Sequence, residues 1–154
     1  MRAKLISENL DKYNFEKKND PLSSLGIGKR ELIKLWLDKM DIQFYTINDD
    51  FTIDVKYEVN VSNRGLTEFP DYIQFNEIEK GWFICSNNFL TSLKGCPYKV
   101  NSVFACNNND LMSLKYCPKY CEIFYCQDNP AEFTEEDVRK LCKVKDHIHT
   151  ISTL

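Results

Sequence analysis

A chain of 154 residues, 43% apolar and 13% aromatic, has enough core-forming side chains for one compact domain and is not a disordered polypeptide. Its charge is balanced along its length: residues 1–56 carry ten basic and ten acidic side chains, residues 57–129 six and eight, and residues 130–154 four and five. No segment is basic enough to propose nucleic acid as a partner, and none is acidic enough to propose a mimic of it.

The N-terminal stretch MRAKLISENLDKYNFEKK lacks the apolar run of a signal peptide, and no stretch approaches the roughly 18 apolar residues of a membrane span. The expectation is a soluble cytoplasmic protein without a membrane partner. Seven cysteines, an odd number without a secretory signal, point to reduced thiols rather than a disulfide framework.

In chain order, residues 1–28 read as an N-terminal arm with a short helix over about 6–17, broken by Pro21, Gly26 and Gly28. Residues 29–40, KRELIKLWLDKM, place Leu32, Leu35 and Trp36 on one stripe, with Ile33, Leu37 and Met40 beside it. This predicts an amphipathic helix whose wide apolar face needs a partner. YTINDDFTIDVKYEVNVS alternates around Asn48-Asp49-Asp50 and predicts a hairpin, so that residues 29–58 form a helix and hairpin cap.

From residue 59 the chain repeats itself. FICSNNFLTSLKGCP at 83–97 superposes on FACNNNDLMSLKYCP at 104–118; FYCQDNPAEF at 124–133 comes next, and VNVSNRGLTEFP at 59–70 fits in front. Cys85, Cys106 and Cys126 are 21 and 20 residues apart, and Val61 stands 24 before the first, a period of about 20 to 29 residues typical of leucine-rich repeats. Each unit reads apolar-x-apolar-x-x-Asn-x-Leu, as in Phe83, Cys85, Asn88, Leu90 and Phe104, Cys106, Asn109, Leu111. Phe124, Cys126, Asn129 and Ala131 hold the register behind them; Val59, Val61 and Leu66 hold it in front, with Arg64 at the asparagine position.

A short strand with alternate residues inward cannot bury its apolar side alone and must stack on its neighbours. The asparagine belongs to the turn after the strand, where its amide can satisfy stranded backbone donors and acceptors of the adjacent repeat. Leu93, Leu114, Pro97 and Pro118 shape the return arm. Residues 47–133 resemble the leucine-rich repeats of bacterial and tailed-phage proteins whose units read like CxNNxLTSLxGCP. The departures are Arg64 for asparagine, Tyr116 where Gly95 stands one unit earlier, and Pro130-Ala131 where a leucine pair would continue the array.

The fold class implied is α/β: a short leucine-rich-repeat solenoid of about three to four repeats over 59–133, capped in front by the helix and hairpin. A C-terminal capping helix and tail are expected over 134–154, started by a capping box in Thr134-Glu135-Glu136-Asp137.

If Phe83 and Cys85 point inward, period two turns Trp82, Ile84 and Ser86 outward on a concave strand face. The same offsets select Val103, Ala105 and Asn107, then Ile123, Tyr125 and Gln127. Two apolar rows and one polar row make a surface suited to a partner protein. The resemblance adds a biological setting, a phage or bacterial modulator that inhibits a host enzyme or defence protein. The alternative is a homo-oligomer that hides the same face.

Enzymatic readings have less behind them. Cys117-Pro-Lys-Tyr-Cys121 has a spacing that zinc ligands use, but the repeat assigns Cys85, Cys96, Cys106, Cys117 and Cys126 to stacked core positions. His147-x-His149 reads as a surface tail, and Cys142 near His147 lacks anything to complete a nucleophile pair. Gly26 and Gly28 lack the spacing of a phosphate loop. No catalytic residue, metal or cofactor is expected.

Overall fold

The computed structural model describes residues 26–152; the helix expected over 6–17 and most of the N-terminal arm lie outside them. The first element is helix α1, Lys29–Lys39, which buries Leu32, Ile33, Trp36 and Leu37. Its anchor is Trp36, packed edge-on to Phe69 at 6.0 Å and tilted against Phe75 at 6.4 Å, so the apolar stripe rests on the N-terminal end of the solenoid.

Strands β1 (Tyr45–Ile47) and β2 (Ile53–Val55) form an antiparallel hairpin, Thr46 opposite Asp54. Its tip closes where the Phe51 amide donates to the Asn48 carbonyl at 2.9 Å and Asp50 accepts from the Thr52 amide and hydroxyl. Beyond it the chain winds as a parallel-strand solenoid. One ladder continues from β2 through β4 (Phe75–Ile78) and β6 (Lys99–Val100) to β8 (Tyr120–Tyr125). A second runs from β3 (Val59–Asn60) through β5 (Phe83–Ile84) and β7 (Val103–Ala105) to the far half of β8. Each coil thus carries two short strands with a bend between them. Only one ladder is expected from the repeat; the other lies just after the recurring prolines, in PYKV at 97–100 and PKYC at 118–121.

The bend is tight. Around Gly81 a β-carbon would stand 2.0 Å from the Tyr57 carbonyl oxygen, so the chain can pass there only without a side chain.

Inside, Phe75, Phe83, Phe104 and Phe124 make a continuous aromatic column with ring centres 5.1, 6.0 and 5.1 Å apart. Each is fully buried, so removal of one would leave a void as well as lost transfer free energy. Return arms close the coils with the same contact three times: Ile73 to Pro70, Cys96 to Leu93 and Cys117 to Leu114, each amide to carbonyl at 3.0 Å.

The C-terminal segment departs from the expected capping helix and tail. Helix α2 spans only Glu135–Arg139, with the Thr134–Asp137 capping box in place. It fills the position of a return arm, the Leu141 amide donating to Val138 at 3.0 Å. The chain then forms β9 (Lys143–His149), parallel to β8. The array therefore does not stop at Pro130-Ala131. Val144 and Ile148 enter the core in line with Cys121 and Phe124, and ladder hydrogen bonds to β8 outweigh the helical propensity of VRKLCKVK.

Among the described residues β9 pairs with β8 alone and so presents an edge. Cys121 pairs with Val144 and Ile123 with His147, so β9 carries one extra residue at Lys145-Asp146. A bulge bearing two charges is a device that discourages further strand pairing.

Candidate partner-binding face

The turn after each second-ladder strand sets the geometry of the outer face. Asn63, Asn87, Asn108 and Asp128 take left-handed backbone angles, φ between 54° and 57°, the conformation that Asn and Asp tolerate best among side-chain-bearing residues. The next residue is the repeat asparagine. Asn109 Oδ1 accepts from the Leu90 amide at 3.0 Å while Nδ2 donates to the Cys85 and Cys106 carbonyls at 3.0 and 3.1 Å. Asn88 and Asn129 repeat the arrangement, Asn88 accepting from both Arg64 and Leu66. Arg64 takes the asparagine position where no repeat of this pattern precedes it, and its guanidinium bonds Asp41 at 3.0 Å instead.

With the strands pinned in this way, the outward residues fall into columns. Register aligns Asn60, Ile84, Ala105, Tyr125 and His149 in one. Beside it run Trp82, Val103, Ile123 and His147, the last three placed by register and Trp82 by standing just before the Phe83–Phe104 pair. The third contains Ser86, Asn107 and Gln127, with the Ser86 hydroxyl donating to Asn107 Oδ1 at 2.6 Å.

Exposure divides the nine residues that the sequence selects. Trp82 is the most open at 42%; Ile84, Val103, Asn107, Ile123, Tyr125 and Gln127 are half-buried. Ser86 and Ala105 are buried instead. The methyl group of Ala105 sits between the larger side chains of its ladder partners Ile84 and Tyr125, and Ser86 is covered in its bond to Asn107. Gln127 Oε1 is buried without a hydrogen-bond partner among the described residues.

Sequence reasoning missed four residues on or beside this face. His147 and His149 belong to the columns, not to a tail: the His149 ring stacks on Tyr125 at 4.2 Å, with 5° between planes. The alternation of Val144 and Ile148 with polar neighbours was the available signal. Phe44, 66% exposed, packs edge-on to exposed Tyr57 at 5.3 Å, and Tyr57 lies against the bend at Gly81 next to Trp82. Nothing in the local sequence marks Phe44, which sits at φ 55°. Met40–Phe44, Tyr57, Glu58, Asn60 and Arg64 line a cleft of about 320 Å³ at the N-terminal margin of the face.

The cysteines and histidines weighed as ligands do not converge. Cys117 and Cys121 are buried in the core while His147 and His149 lie on the outer columns. Among the described residues no three His, Cys, Asp or Glu side chains gather as a metal site requires. Burial pushes the Cys117 and Cys126 thiols up to about 12 and raises Cys96 and Cys106 well above their ordinary value, so these sulfurs are neutral core groups and poor nucleophiles. Cys142 is buried facing Cys121 and not His147.

No helix among the described residues is long and apolar enough to cross a membrane. Comparison with protein-family models, with curated proteins and with solved structures returns no match.

Proposed function

We propose that this chain is a leucine-rich-repeat interaction protein, not an enzyme, that holds another protein on the outer face of its second ladder. The observation that carries the reading is the register of the two apolar columns, Trp82, Val103, Ile123 and Ile84, Ala105, Tyr125, crowned by a Trp that is 42% exposed. Aligned β-branched and aromatic side chains of this kind give a partner contiguous apolar area with little side-chain entropy to lose. Asn107 and Gln127, both half-buried, form a polar rim. Ser86 acts through Asn107, which it holds in place.

The biological setting rests on the resemblance to bacterial and phage repeats: a cytoplasmic modulator, in phage-infected or uninfected bacteria, that inhibits a host enzyme or defence protein. The test is affinity capture from a bacterial lysate with the intact chain and with a Trp82→Asp/Tyr125→Asp double variant, after circular dichroism has shown both to be folded. The proposal expects a protein captured by the first and lost with the second; a partner retained by the double variant refutes the face. Light scattering on the isolated chain separates the alternative, since a dimer that the same double variant dissociates would assign these columns to a symmetry mate.

A further inference from the structure

We infer that Cys121 and Cys142 form a disulfide on exposure to a low-molecular-weight disulfide of the glutathione type, a modification that fastens the last coil of the solenoid to the one before it. The two sulfurs share a hydrogen bond at 3.8 Å, Cys121 on β8 and Cys142 immediately before β9, and the pairing of those strands, Tyr120 with Lys143 and Cys121 with Val144, is fixed by the ladder. Cys142 is held further by its amide, which donates to the Val138 carbonyl at 2.9 Å. Closing to a bond length of about 2.05 Å asks the two side chains to turn toward each other. Cys85, Cys106 and Cys126 each donate to the carbonyl of the next coil, at 3.4, 3.4 and 3.7 Å; Cys85 also meets Cys96, but its strand β5 is paired on both sides, by β3 and β7.

Both sulfurs are buried, at 0% and 2% exposure, so reaction needs an opening, and their position supplies one. Among the described residues strand β9 has a neighbour on one side only, and a strand paired on one side opens more readily than one paired on both. In the frayed state a thiolate of the pair attacks one sulfur of the reagent, a mixed disulfide forms, and the displaced thiolate takes up a proton. When β9 returns to β8, the second cysteine gives up its proton and attacks the protein-side sulfur of the mixed disulfide, releasing the second reagent thiol. Two protein thiols are thereby oxidised, and one reagent disulfide is reduced to two thiols. The product ties Cys121 to Cys142 across α2 and prevents β9, which carries His147 and His149, from leaving. The disulfide forms whether or not the outer face binds a partner.

The experiment is peptide mapping by mass spectrometry, without reduction, of the full chain incubated with oxidised glutathione and then alkylated. The expected result is a Cys121–Cys142 cross-link as the main product, with the other five cysteines alkylated only after unfolding. Thermal unfolding of the oxidised chain should be higher by roughly 5–10 °C than that of the reduced chain, a difference that disappears in Cys142→Ser. A predominance of stable glutathione adducts, of Cys117–Cys142 links or of mixed pairings overturns the inference, as does a thermal shift that survives in Cys142→Ser. The mapping on the unaltered chain decides the matter even if that variant fails to fold.

Discussion

Replacing Asn109 with leucine keeps the volume of the side chain and removes its polar atoms from a site that is 5% exposed. Its three bonds are not equivalent. The Cys85 carbonyl keeps a second donor in Asn88, and the Cys106 carbonyl keeps one in Asn129, but among the described residues the Leu90 amide has no other acceptor than Asn109 Oδ1. One orphaned buried donor costs about 1–3 kcal/mol, and each of the two weakened carbonyls adds about 0.5 kcal/mol, so the expected loss is about 2–4 kcal/mol. The same reasoning ranks the three asparagines. Asn88 serves two amides, those of Arg64 and Leu66, and its leucine variant should cost more; Asn129 is half-buried, so water replaces part of what is lost and the cost should be smallest. Urea unfolding of the three single variants, read as midpoint and slope, measures the order. Equal losses at all three sites, or a loss below about 1 kcal/mol at Asn109, would refute the view that these amides stitch one coil to the next.

The geometry sets two further outcomes. Gly81→Ala must push the bend off the Tyr57 carbonyl and should cost about 1–3 kcal/mol or more, whereas Gly65→Ala, at φ 68° with open space around it, should cost only about 1–2 kcal/mol; an indifferent Gly81→Ala in thermal unfolding would show the bend to be loose. Alkali should unfold the chain, because Cys117 and Cys126 hold their protons in the fold up to about 12 while unfolded thiols ionise from about pH 8.5. A raised folded value gives stability that is complete below the unfolded value and is lost between the two as pH rises. A melting temperature that stays flat from about pH 8 to about pH 11 would contradict buried neutral thiols.

The repeat made the second ladder legible from sequence, because Phe83, Phe104 and Phe124 recur with an asparagine five residues on, and both features are conditions of stacking. The hairpin at Asn48–Asp50 and the helix with Trp36 were legible for the same kind of reason, a period matched to a turn or a stripe. The first ladder was hidden because Phe75–Ile78 and Lys99–Val100 share no recurring signature, whereas second-ladder strands that are just as short are marked by the phenylalanine and asparagine of the repeat. The last coil was hidden because α2 replaces a leucine-bearing arm and Ala131 replaces a leucine, so the repeat vanishes from the sequence while Asn129 still bonds the Leu111 amide at 3.1 Å. At the face, period two found the columns but could not foresee Ala105 and Ser86 being covered, which depends on the size of side chains one coil away.

The two ladders also bear on why the outer columns are apolar. Strands need β-branched and aromatic residues in general, and Ile84, Val103 and Ile123 could be explained by that preference alone. The first ladder of the same solenoid answers otherwise: its outward positions carry Glu77 and Lys99, paired at 2.9 Å, with Asn101 donating to Glu77 at 2.8 Å, and Glu122 paired with Lys145. Its outer side therefore takes charged residues, beside Tyr98 and Tyr120, and still ladders in register. Within β8 the change is abrupt, from Glu122 to Ile123 and Tyr125. The fold tolerates polar residues on an outer strand face, so the hydrophobic columns under Trp82 are not imposed by strand formation, and aspartate at Trp82 and Tyr125 should leave the solenoid standing while it removes whatever those columns hold.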